Sequence, residues 1–185
     1  MLYRNNSRTG RAVLINPNPP PPRTYLDDIN VKAALDLLVR VPESDEHVYR
    51  RPIGDILRFF FFPPSEGYSL VQETVSINSE PDFRVFKVSQ RPGGTLYQYE
   101  FMLAECKKPG EGWGATEDHL HGHLEGNGND SKNCYGMVLV GLIMQFYKYE
   151  NHTFRGFGGQ MHLINDVDNV VAWGRHIKDN PMPFV

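Results

Sequence analysis

Glu105 and Lys107 stand two residues apart where the run LYQYEFMLAE passes into Cys-Lys-Lys and a Pro-Gly loop. In an extended strand, residues i and i+2 share a face. This carboxylate and ammonium therefore project together while Cys106 points the other way. A carboxylate can hold a divalent cation. An ammonium beside it can orient a water, lower its pKa or neutralise phosphate charge in a transition state. Mg2+ takes one or two carboxylates and completes its shell with water and substrate phosphate, so the pattern asks for a second acid. Asp82, in SEPDFRVF, follows Pro81 and opens the preceding strand. A turn over 91–95 pairs the two strands antiparallel. The start of one then lies beside the end of the other, which brings Asp82 to Glu105 and Lys107.

The histidines offer a rival metal chemistry. His119, His121 and His123 alternate. On a strand they would share one face and make a three-histidine zinc site with an open position. On a helix only His119 and His123 align, at i and i+4. Cys106 reads as a packed thiol rather than a nucleophile, because it faces away from the acids. Trp113, Phe146, Tyr147 and Tyr149 are the residue types that stack on bases, and equally the types that fill a sheet core.

These residues need elements to position them. The segment YLDDINVKAALDLLVRV (25–41) places Ile29, Ala33 and Leu37, and Leu26, Ala34 and Leu38, at helical spacing, with Asp27 or Asp28 as cap and Pro42 as stop. A second helix runs over 44–62, with a break expected near Pro52 and an end at Pro63-Pro64. Its four consecutive phenylalanines predict an end buried all round or entering a strand. The period then changes to two. Strands are predicted over 68–77, 82–90 and 95–108 as an antiparallel meander. A polar, helical piece over 114–126 and a disordered-looking NGNDSKN follow. The run 134–151 reads as two strands divided at Gly141, and 166–180 as a closing helix capped by Asp166 or Asp168. The expected class is mixed α/β (α+β), a central mixed sheet flanked by helices.

Pro-Asp followed 23 residues later by Glu-x-Lys at a strand end resembles the PD-(D/E)xK nuclease superfamily. More narrowly it resembles fungal proteins that carry a nuclease-like domain of that type. The likeness covers roughly Tyr68 to Ile177. AECKKPG resembles the family's strand-to-loop exit, YGMVLVGLIMQFYKY its later hairpin, and DVDNVVAWGRHI its closing helix. It implies a restriction-endonuclease-like core ordered helix, three strands, helix, strand. It also implies Asp82 and Glu105 as Mg2+ or Mn2+ ligands, Lys107 as the group that positions the attacking water, and hydrolysis of nucleic-acid phosphodiesters. Members often carry Gln or Lys on the helix after the Glu-x-Lys strand, and here His119 takes that position. Members also often use an acid on the first helix, for which Asp55 and Glu46 are the candidates.

Composition bounds the alternatives. The chain has 185 residues, enough for one domain over 25–185. Residues 1–24 form a proline-rich arm, extended in expectation, which serves as a linker or packs on a second copy in a homo-oligomer. The net charge of -3 gives no global basic field for a polyanion. Two cysteines without close spacing argue against a disulfide framework and for a cytoplasmic or nuclear compartment. No apolar run reaches membrane-spanning length. Besides the nuclease, a non-catalytic module on the same fold, an effector or self-associating domain, is the second expectation, and a histidine-cluster zinc hydrolase the third. A basic groove of Arg50, Arg51, Arg84, Lys107 and Lys108 around Asp82 would favour the nuclease.

Overall fold

β1 (Tyr68–Gln72), β2 (Phe83–Gln90) and β3 (Leu96–Lys107) form the antiparallel meander that the alternation predicts. The β2–β3 turn is closed by Arg91 N–H donating to the Thr95 carbonyl. Gly93 and Gly94 both take positive φ there, which only glycine adopts without cost. The structure, a computed structural model, describes residues 24–73, 80–91 and 93–183. The proline-rich arm, apart from Thr24, and the expected continuation of the first strand to Ile77 lie outside the described residues.

From β3 the chain crosses through α3 (Trp113–Glu125) to β4 (Cys134–Val140), which pairs parallel with β3. β5 (Ile143–Glu150) returns after Gly141, as expected, and β6 (Thr153–His162) extends the sheet. The result is a mixed six-stranded sheet in the order β1-β2-β3-β4-β5-β6, flanked by helices. β6 was not anticipated. Its Gly156, Gly158 and Gly159 interrupt the β-branched pattern that announces a strand, and pairing with β5 supplies the order that propensity does not.

Three helical elements depart from expectation in informative ways. α1 (Ile29–Arg40) is capped by Asp28, whose carboxylate accepts from Asn30 N–H at 2.8 Å. Its buried stripe is Val31, Leu35 and Leu38, while Ile29 and Leu37 are exposed. The alanines at 33 and 34 fit either phase, so the larger side chains decided it. α2 (Glu46–Asp55) runs through Pro52 without a break and continues as a π-helical segment, Ile56–Phe61. Phe60, Phe61 and Phe62 pack around Tyr25, Tyr68 and Phe101, whereas Phe59 is exposed, so that end is not buried all round. α4 (Val167–Asp179) closes the chain. Asp166 precedes it but spends its carboxylate on His162 N–H, 2.7 Å away, rather than on the helix.

β3 is covered on both faces. Met102, Ala104 and Cys106 join the larger core with α1, α2 and α4. Leu103 joins a smaller one beneath α3 with Leu120, Leu124 and Val138. Gly136 of β4 lets α3 approach, since a Cβ there would lie 2.8 Å from a Leu124 methyl and 3.0 Å from a Leu120 methyl. That close seat holds the histidine face of α3 over the end of β3. NGNDSKN is ordered, not disordered. The buried Asn129 side chain accepts from Glu100 N–H at 2.9 Å and donates to the Glu100 and Asn133 carbonyls, both at 2.8 Å. Among the described residues, no helix is long and apolar enough to cross a membrane.

Candidate functional site

The β2–β3 register pairs Phe83 with Ala104, and this sets Asp82 against Glu105. The Asp82 N–H donates to Glu105 Oε2 at 3.3 Å, and the Cys106 N–H donates to Asp82 Oδ2 at 2.7 Å. Both carboxylates are buried, at 5% and 4% exposure. Lys107 projects on the same face as Glu105, with its Nζ 3.9 Å from Glu105 Oε1. The three residues that spacing and turn chemistry select thus converge on one point, and Cys106 turns into the core as expected. Burial pushes the Cys106 thiol well up, with Asp82 adding to the shift, so it is not a ready nucleophile.

Two helices complete the cluster. α2 delivers Arg50, whose Nη2 lies 2.6 Å from Asp82 Oδ1 and also pairs with Glu46. Glu46 Oε1 is 3.6 Å from Lys107 Nζ. Of the two helix acids left open by the sequence, Glu46 reaches the site, whereas Asp55 faces a separate hollow beside Tyr25 and Phe60. α3 delivers His119 and His123, one turn apart. His119 Nδ1 stands 3.9 Å and His123 Nε2 3.7 Å from Glu105 Oε1. His123 is the more buried of the two, at 15% side-chain exposure against 64%. His121 points away and stacks on Phe154, with centroids 4.7 Å apart, because a helix rather than a strand carries it. The three histidines therefore do not converge. Trp113 and Tyr147 are packing residues: the indole N–H donates to the Tyr147 hydroxyl at 3.2 Å, and that hydroxyl donates to Glu117.

The pair is electrostatically uneven. Burial, then the neighbouring Glu105, pushes the Asp82 carboxyl up to about 7, against the Cys106 N–H, Arg50 and Lys107, which act to lower it. Burial also acts to raise Glu105. The nearby His123 and the charge of Lys107 outweigh it and hold that carboxyl below its ordinary value. Both line a cleft of about 790 Å3. Arg50, Arg84 and Lys107 line it too, but Arg51 and Lys108 do not, and Glu73, Glu80 and Asp118 do. The expected basic groove is therefore a cleft of mixed sign. Arg84 is neutralised in place by Glu80 and by Glu100, whose Oε1 is 2.6 Å from its Nη1.

Arg50 and Arg84, expected in a groove around Asp82, and His123, expected to align with His119 on a helix, all reach the cleft, but no spacing assigns them to particular carboxylates. Glu46 and Arg50 carry a weak signal in their i, i+4 spacing, the mark of a helical ion pair. Nothing in the spacing says that this pair docks on Asp82, 32 residues on. Among the described residues, no group of three or more His, Cys, Asp or Glu side chains is arranged to hold a metal ion. That excludes no Mg2+ or Mn2+ chemistry, since such an ion needs only one or two carboxylates beside water and phosphate. Asp82 and Glu105, adjacent and lining one cleft, fit that donor set. They do not fit the closed protein cage of a structural zinc site. No family model, curated protein or solved structure matches this chain.

Proposed function

We propose that the chain is a metal-dependent nuclease of PD-(D/E)xK type on a restriction-endonuclease-like core. The observation that carries this reading is the convergence of Asp82, Glu105 and Lys107 at the rim of a single cleft. Topology supports it as well: a helix, three antiparallel strands, a crossing helix, and a strand parallel to the third follow the order the resemblance implies. Asp82 and Glu105 would hold Mg2+ or Mn2+. Bound there, such an ion would supply Lewis-acid stabilisation of a phosphoryl oxygen.

The chain's own groups divide the remaining work. Lys107 holds its ammonium beside Glu105, in position to orient a water and to meet negative charge developing on a phosphoryl group. Glu46 on one side and Glu105 on the other restrain that ammonium. His123 stands beside Glu105 Oε1, and the more exposed His119 is placed to meet a substrate phosphate. Digestion of single- and double-stranded DNA and RNA with Mn2+ at low salt tests the reading. Lys107→Ala is expected to lower cleavage by roughly two orders of magnitude, and Lys107→Arg not to restore it.

A second reading has its own observation. The acid-rich lining and the engagement of Asp82 by Arg50 favour a non-catalytic module on the same fold. Wild-type protein that cuts none of the four substrates, or Lys107→Ala protein that cuts as fast as wild type, decides for the module.

A further inference from the structure

Arg50 is more than nine-tenths buried, yet it is not a finished structural ion pair. Its Nη2 touches two carboxylates at once, Glu46 Oε1 and Asp82 Oδ1. Its Nε, also buried, has no hydrogen-bond partner. A guanidinium dedicated to holding the fold would have its buried donors satisfied, because an N–H without an acceptor is a standing cost. The group is thus held by charge at one end and unsupported at the other. It stands where it neutralises an oxygen of Asp82 that a cation would need. Lys107 cannot fill this role, since its Nζ is 3.6 Å from Glu46 and reaches only Glu105 on the β3 side.

We propose that Arg50 is the resident counter-ion of the carboxylate pair, a latch that must leave Asp82 before Asp82 and Glu105 can take a divalent cation. The inference rests on the reading of those two carboxylates as the cation site. It makes Arg50 a positioning residue that sets the cation concentration at which the site fills. A lysine at this place keeps the charge but is one bond shorter, so its ammonium falls short of the point where the Arg50 Nη2 meets both Glu46 and Asp82.

The test is a thermal-shift titration with Mg2+ and with Mn2+ alone, at about pH 8, on wild type, Arg50→Met, Arg50→Lys and Asp82→Ala. Arg50→Met is expected to lower the half-saturating concentration by roughly tenfold or more, the scale of one charge-assisted contact no longer in competition. Arg50→Lys is expected to lower it as well, by less. Should Arg50→Met fail to fold, Arg50→Lys decides. An Arg50→Lys protein that binds no tighter than wild type overturns the latch, because charge alone would then account for any gain in Arg50→Met. If wild type shifts, Asp82→Ala does not, and both Arg50 variants bind no tighter, the latch fails and the cation site stands. If none of the four proteins shifts, or all shift equally, the cation site fails and takes the latch with it.

Discussion

Asp82→Asn gives a direct measure of how far the site is strained in the absence of a cation. In the folded protein the Asp82 carboxyl is pushed up to about 7 from an ordinary 3.8. The folded state therefore holds a proton that the unfolded chain releases once the pH exceeds 3.8. Stability from this group is fully present below that value and is lost as pH rises through about 7. A rise from 3.8 to about 7 corresponds to about 4 kcal/mol over the full window, of which roughly 2–3 kcal/mol falls between pH 5 and 8. Glu105 acts in the opposite sense: its carboxyl is held below the ordinary value in the folded state, so its contribution is lost as pH falls, not as it rises. Urea unfolding of wild type and Asp82→Asn, with chelator present, reads the effect. The amide keeps an acceptor for the Cys106 N–H and removes the titration. Wild type minus variant is expected to fall by about 2–3 kcal/mol from pH 5 to 8. Parallel curves would refute the claim that Asp82 carries the burial cost of the pair.

Other outcomes follow from the same geometry. Mg2+ or Mn2+ at a hundredfold excess over Kd is expected to stabilise wild type by about 2.7 kcal/mol in calorimetry, and Asp82→Ala to abolish the effect. Asn129→Ala removes the side chain that brackets both backbone groups of Glu100, and equilibrium unfolding is expected to show a loss of about 2–3 kcal/mol. Gly174→Ala drives a methyl into the ring of Phe61, and despite a better helix propensity it is expected to cost about 1–3 kcal/mol.

What the sequence made legible is what two short-range rules determine. Alternation puts Glu105 and Lys107 on one face, and the Gly-Gly turn sets the register that returns Asp82 to them. Both rules act along one hairpin, so no long-range packing was needed. Arg50 and His123 depend on how α2 and α3 dock, and docking is decided by distant contacts. Gly136 admits α3 to the sheet, and the aromatic packing around Phe60–Phe62 fixes the end of α2. Neither contact leaves a mark in the local spacing of the residues it positions. β6 was illegible for the opposite reason: its local signal was contradicted by glycines that the sheet tolerates at its edge.

The charges of the cleft order the events on the nuclease reading. Five carboxylates line it, Glu73, Glu80, Asp82, Glu105 and Asp118, against three permanent cations, Arg50, Arg84 and Lys107. A polyanion meets a net repulsive surface there, so nucleic acid gains nothing by arriving first. Above about pH 7, where Asp82 is ionised, one divalent cation brings these charges to balance. Release of Arg50 from Asp82 leaves the guanidinium paired with Glu46 alone, with its remaining donors open to the oxygens of a phosphate. The acid excess that argues against simple nucleic-acid binding is therefore compatible with binding that waits for the metal. Nucleic-acid affinity at low salt is expected to rise steeply with Mg2+ and to stay flat in Asp82→Ala. An affinity indifferent to Mg2+ in wild type would remove the electrostatic reason for this order.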